Sequence, residues 1–402
     1  MKDIKSYRKD IILLFLAELL WPLGLALYIS FLPIHIRELG GSDIIVGIIM
    51  SIPNILGVLA ILGGILCDIT DRKYVIIFGW AITIPAPLIW AFANRWEWML
   101  AGQIIYSLTL ICSPAITLYI LDYKTTGNKM AGYTLVYLAA PLGSIISPAI
   151  GGRIISAYGR QTLYLIVFVL FSVSTLCTFF LTKQPVEKDK YIKNNFRFKL
   201  DLDSSYVKRL ASAVVFFTLL TAVQNIGESY LSLFMSEFRK TSIDWIGFYY
   251  TALYIGASLF TFLFGKSDER LNPHIILTAG NILLIVSILL LVFPANVNSV
   301  PVLILAFFLR GINRSILVFN QVLFAQNTNS SNNKGLILSL FIAFRSIVTG
   351  LAVYPGAFLF RANPKYPFYA EAILIISWIL FSYSGRFKNY FKIENSISKE
   401  QA

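Results

Sequence analysis

The chain has 402 residues, of which 57% are apolar and only 14% charged, and its formal net charge is +13. A soluble domain carries about 25% charged residues, so an ordinary water-soluble fold is excluded and the apolar excess needs lipid as its solvent. Three cysteines at long spacings and two distant histidines, His35 and His274, offer no disulfide framework, and no metal site is expected.

The apolar residues fall into twelve runs: 11–34, 44–67, 74–93, 98–121, 131–155, 163–181, 210–234, 245–264, 275–293, 302–325, 336–360 and 366–384. Each is close to the roughly 20 residues that carry a helix across a bilayer. The first run is too long for a signal-peptide core and no small-residue cleavage site follows it, so it reads as a retained helix. The longest hydrophilic stretch, 183–209, carries Pro185 and mixed charge and reads as a linker. The expected fold is an all-α membrane protein with twelve transmembrane helices in two pseudo-symmetric six-helix bundles, 1–182 and 210–402, the second ending in a short tail.

Positive charge sets the orientation. Of the 34 lysines and arginines, 23 fall in the termini and the loops on their side, eight on the opposite side and three inside helices. The basic side faces the cytoplasm, so both termini are expected there, with the protein in the cytoplasmic membrane. The +13 is thus a topology signal, with contact to anionic lipid as a secondary effect; nucleic acid is not an expected partner.

The two halves repeat each other. Ser42, Gly47 and Asp68 around the second run are answered by Ser242, Gly247 and Asp268 at one constant offset. Internal repeats with a site at their interface are the architecture of secondary transporters.

Between the second and third runs stands Gly64-Ile65-Leu66-Cys67-Asp68-Ile69-Thr70-Asp71-Arg72-Lys73. It resembles the signature of the major facilitator superfamily: Gly, three residues, Asp, a basic residue, any residue, Gly, then two basic residues. Gly64, Asp68, Arg72 and Lys73 match; Ile69 replaces the first basic residue and Asp71 the turn glycine. Aspartate tolerates left-handed backbone better than most residues, so the turn is expected to survive at Asp71. The resemblance implies a lock that stabilises the outward-facing state, with a shorter echo holding Asp268 and Arg270. In the fifth run, Gly143-Ser144-Ile145-Ile146-Ser147-Pro148-Ala149-Ile150-Gly151-Gly152 is similar to a family pattern commonest among proton-driven exporters, with Ser147 in place of one glycine. Gly143, Pro148, Gly151 and Gly152 are therefore conformational-gate candidates, while small residues and proline also serve plain helix packing and bending. In the fourth run Gln103 stands near the place where many proton-coupled members carry arginine.

Five ionisable residues inside the runs stand out: Glu18, Glu228, Arg310, Arg314 and Arg345. Such groups cost several kcal/mol unless paired or hydrated, so each is a functional candidate. At about 1.5 Å per residue, Glu18 lies roughly 10 Å from the terminal side and Glu228 roughly 9 Å from the other; the three arginines cluster near mid-depth. All five fall on runs that, by the resemblance, line the family's central cavity. Glu228 and Arg310 sit at similar depth and are placed to pair. Glu18 is the expected proton carrier, with Glu228 as a second proton-coupling candidate, or else Glu18 meets Arg314 or Arg345. Three arginines against two acids leave a positive excess suited to an organic anion. Gln224, Asn225, Asn313, Tyr28 and Gln103 are further substrate-contact candidates, though single polar residues in membrane helices also serve as interhelical glue. Glu371, near the outer end of the twelfth run, reads as interfacial.

Gly265-Lys266-Ser267 hints at a phosphate-binding loop, but the glycine required five residues earlier is Phe260. No triad, metal spacing or cofactor loop appears, so neither an enzyme nor a cofactor is expected. The leading expectation is a proton-coupled exporter of small organic compounds, monomeric as the fold implies. The alternatives are an importer or exchanger of an organic anion held by the mid-membrane arginines, and a membrane sensor that binds solute without moving it.

Overall fold

The computed structural model describes residues 2–121, 129–184, 204–265, 273–293, 299–327 and 334–383. Helices cover all twelve runs, and no strand occurs among the described residues. Eight helical stretches among them are long and apolar enough to cross a membrane, and one of these, Gly132–Phe179, holds the fifth and sixth runs together.

The helices break where their residues require it. Pro53 lacks a backbone N–H and its ring presses on the preceding turn; the helix Asp43–Ile55 gives way two residues later to a 3₁₀ turn, Leu56–Val58. The third span is split before Pro85, which opens the short helix Pro85–Ala91. The fourth passes through 3₁₀ geometry at Leu108–Cys112 just before Pro114. Spans five and six run as one helical path, Lys129–Phe179, interrupted at Gly159 with φ +82°. That left-handed backbone is costly for any residue with a Cβ, and glycine permits the tight reversal.

The chain forms two compact units. One comprises Met1–Lys199 with Met235–Thr251; the other comprises Leu200–Phe234 with Ala252–Ala402. In the first unit, spans one and five run parallel in close contact. A Cβ on Gly143 would lie 2.4 Å from the Leu19 carbonyl oxygen, and one on Gly151 would lie 2.1 Å from that of Leu27. The glycines and the carbonyls they face are both eight residues apart, so one row of small residues follows one row of carbonyls. The second unit repeats the motif between spans seven and eleven, where a Cβ on Gly356 would meet the Ile226 carbonyl oxygen at 2.4 Å. Lipid supplies no hydrophobic drive between helices, so such close backbone approach is how they associate.

At the terminal side of the first unit, Asp10 gathers spans one, four and six. Its carboxylate accepts from Tyr119 Oη at 2.8 Å and from Thr182 N at 3.2 and 3.3 Å. Asp10 is fully buried, and these donors replace the water it has lost.

Candidate functional site

The second unit encloses a polar cavity of about 160 Å³ lined by Gln224, Asn225, Glu228, Leu253, Leu284, Arg310, Asn313, Arg314 and Glu371. Arg310, four residues before Arg314 on the helix Val300–Asn327, supplies its central charge. Arg310 Nε donates to Glu228 at 2.6 Å, and Nη2 donates to both carboxylate oxygens of Glu371 at 2.9 and 3.0 Å. The pairing of Glu228 with Arg310 expected from depth is therefore present. Arg314 Nη1 stands 3.8 Å from the second oxygen of Glu228, and its guanidinium lies 5.5 Å from the Tyr254 ring centre.

Glu371 corrects the interfacial expectation. It is fully buried and completes the ion cluster, because span twelve turns this face toward span ten. Two carboxylates then balance two guanidiniums in the cavity, so the expected positive excess is absent there. Arg345 lies on the helix Lys334–Ala362, in the same unit but outside the cavity lining.

Neutral amides complete the wall. Gln224 Nε2 donates to Asn281 Oδ1 at 3.3 Å, and Asn313 Nδ2 donates to the same oxygen at 3.2 Å and to Gly280 O at 3.1 Å. Asn225 Nδ2 donates to Thr221 O at 3.0 Å along its own helix. Gln224 Oε1, Asn281 Nδ2 and Arg310 Nη1 are buried without a partner among the described residues. A polar cavity with such groups is fitted for water or a polar ligand. Asn281 was missed by sequence reasoning; a lone asparagine inside an otherwise apolar span was the available signal.

The first unit places Glu18 differently. It is half-buried on span one, and no described residue hydrogen-bonds or ion-pairs with it. Cys112 and Tyr137 are its electrostatic neighbours. One turn on, Trp21 stacks on Phe171 at 4.0 Å, on Trp80 at 4.9 Å and on Tyr106 at 6.3 Å. Tyr28 is fully buried against Trp90, Tyr106 and Tyr164. Gln103 is buried on span four, and its Oε1 has no partner among the described residues.

The gate candidates divide by what surrounds them. Gly143 and Gly151 are packing positions against span one. Pro148 meets span eight, where a Cβ on Gly247 would lie 2.4 Å from the Pro148 carbonyl oxygen; a Cβ on Gly152 would lie 2.9 Å from Ile243 O. Gly64 has no heavy atom within 4 Å of where its Cβ would be. Asp68 lies on the helix Leu59–Ile69, and Arg72 and Lys73 open the next, Arg72–Ala81. Asp71 corrects the turn expectation: its backbone is extended, φ −60° and ψ 125°, not left-handed. Its side chain instead caps span three, accepting from Lys73 N at 3.0 Å, and also accepts from Gln184 N at 2.9 Å. A capping residue takes extended backbone so that its oxygen can reach the free amides of the first turn. Asp268 and Arg270 lie outside the described residues.

The family profile described as Major Facilitator Superfamily matches residues 14–352 and, again, 210–401. The chain is 22% identical over 371 residues to a Lactococcus lactis protein described as a multi-drug resistance efflux pump PmrA homolog, covering 87% of this chain and 86% of that one. It is 27% identical over 406 residues to the Proteus mirabilis multidrug resistance protein MdtG, covering 94% and 96%. Its fold is similar to that of the nucleoside transporter NupG, with a TM-score of 0.72 at 17% identity over 96% of this chain and 99% of that one.

Proposed function

The chain belongs to the major facilitator superfamily, and within that family of multi-pass membrane transporters we propose that it is a proton-coupled exporter of small organic cations. The observation that carries this reading is Glu18, a carboxylate within a membrane span with no neutralising partner among the described residues. An ionised carboxylate in a low-dielectric site is costly until its charge is neutralised. A proton or a cationic solute can each do so, and a single carboxylate does not hold both. Competition for Glu18 makes the two fluxes exclusive, and alternating access of the site turns that exclusion into exchange. Outward direction is supported by the descriptions of the Lactococcus and Proteus relatives as multidrug resistance proteins.

In this reading the protein lies in the cytoplasmic membrane with both termini inside, as the positive charge of the terminal-side loops supports, and works as a monomer. The six-plus-six division, with 183–209 as linker, supplies the two bodies that alternate. Glu228 belongs to the ion cluster of the second unit, where it supports the cavity rather than carrying the transported proton. Arg310 is engaged by two carboxylates, which weighs against its holding an anionic substrate.

The test is transport in proteoliposomes with an imposed pH gradient and an internal pH dye, against a panel of lipophilic cations and organic anions. Cation-dependent proton flux that disappears in Glu18→Gln supports the reading. Gradient-independent exchange of an anion, unaffected by Glu18→Gln, overturns it.

A further inference from the structure

We propose that an anionic phospholipid binds in a groove on the lipid-facing side of spans five and eight, its phosphate on Arg153 and an acyl chain along the groove floor. The groove is an open trough of about 400 Å³ lined by Ala149, Ile150, Arg153, Ile154, Ala157, Tyr158 and Phe248. All these residues lie in the first unit, which includes Met235–Thr251. Apart from Arg153 and the Tyr158 hydroxyl, every lining side chain is apolar.

Depth fixes the class of occupant. Span five turns at Gly159, only six residues beyond Arg153, so Arg153 lies within roughly 9 Å of the helix end. Tyr158 is 73% exposed and Trp245, whose ring lies 5.7 Å from that of Phe248, is 43% exposed. Exposed tyrosine and tryptophan at this position mark the headgroup level of a bilayer. The trough therefore begins at the headgroups and extends into the acyl region, on the face opposite the termini.

Charge fixes the headgroup. Arg153 is exposed, and its guanidinium lies 5.7 Å from the Phe248 ring centre. No described residue hydrogen-bonds or ion-pairs with it. By contrast Arg160, just past the turn at Gly159, is bound by Glu38 through two hydrogen bonds. Within the described structure the charge of Arg153 is left to an external anion, and the planar guanidinium fork matches a phosphate. An apolar trough leading from that fork suits the rest of a phospholipid, whereas a free phosphate would make no use of it.

Native mass spectrometry of the detergent-purified protein, titrated with phosphatidylglycerol, tests the proposal. The expected result is one lipid held about fivefold more weakly in Arg153→Gln, as for the loss of one basic group at a membrane surface. Arg153→Lys should keep most of the binding. Ile150→Trp, which fills the trough without touching the charge, should also weaken it. Diacylglycerol of the same chain length should bind poorly to the wild type, since it lacks the phosphate. Equal retention of phosphatidylglycerol in wild type, Arg153→Gln and Ile150→Trp overturns the proposal. So does a protein dimer lost in Ile150→Trp with lipid binding unchanged, which would make the trough a contact between two copies.

Discussion

Arg310 meets Glu371 through a single nitrogen: Nη2 donates to both carboxylate oxygens, at 2.9 and 3.0 Å, with the Glu371 side chain completely buried. Removing Glu371 leaves Arg310 held by Glu228 alone, with Nη2 robbed of both its acceptors in a low-dielectric interior, at a cost of up to about 3–5 kcal/mol. Glu371→Ala should therefore lower the thermal unfolding midpoint sharply. The triple variant Arg310→Met, Glu371→Leu, Glu228→Gln removes Arg310 together with both carboxylates it engages and should recover much of that loss, since apolar replacement of buried paired charges is often neutral. Detergent-solubilised thermal melts check both; equal instability of the single and triple variants would falsify the buried-cluster account.

Gly151 and Gly64 separate packing from gating. A Cβ at Gly151 would sit 2.1 Å from the Leu27 carbonyl oxygen, so the helices must move apart. Gly151→Ala should destabilise by about 1–3 kcal/mol, the usual range for overpacking. At Gly64 nothing lies within 4 Å, and alanine is the better helix former by up to about 1 kcal/mol. Gly64→Ala should match or exceed wild type in melts. If it also stops transport while folded, Gly64 acts in the conformational cycle; if it transports normally, the glycine of this signature is dispensable here.

Hydropathy and depth were legible from the residues alone, because span length and distance from a helix end depend only on position along the chain. They located every span and matched Glu228 to Arg310. Rotation about the helix axis was not legible. Glu371 lies five residues into span twelve, a position equally consistent with an interfacial side chain, and only the packing of spans ten and twelve turns it inward. Asp71 failed for a different reason. In the family pattern a glycine makes the turn by backbone freedom, whereas Asp71 ends it by side-chain hydrogen bonding to Lys73 N and Gln184 N. A residue-for-residue comparison assumes one mechanism per position and misses the substitution of one by another.

His35 should make stability depend on mild acid. It lies in the short helix Leu32–Glu38 after span one, with Nδ1 3.0 Å from Tyr164 Oη. Burial, and then the charge of Arg160, push its pKa down to about 3 from the ordinary 6.5. Between those two values the unfolded chain binds a proton that the folded chain refuses, so stability rises with pH across this window and its full value is reached above about pH 6.5. The melting temperature should fall between pH 7 and pH 5. His35→Gln, which keeps a polar partner for Tyr164 but does not titrate, should flatten that slope; an unchanged slope assigns the acid sensitivity elsewhere.

Arg310 and Arg314 share one face of span ten but should behave oppositely when mutated. The side chain of Arg310 is 4% exposed and that of Arg314 is 50% exposed. The Arg314 nitrogen stands 3.8 Å from Glu228, beyond a direct hydrogen bond, so this contact contributes about 1 kcal/mol or less once solvent screening is counted. Arg310→Gln should leave Glu371 without its partner and unfold the protein at markedly lower temperature. Arg314→Gln should melt well above Arg310→Gln, because the Arg314 side chain is half exposed and water can replace what it loses. Any effect of Arg314→Gln on transport then reports directly on the cavity: a raised KM with kcat unchanged identifies a solute contact. If Arg314→Gln instead unfolds as readily as Arg310→Gln, the two arginines are one structural unit, and the cavity they line is a buried ion cluster rather than a place where solute is held.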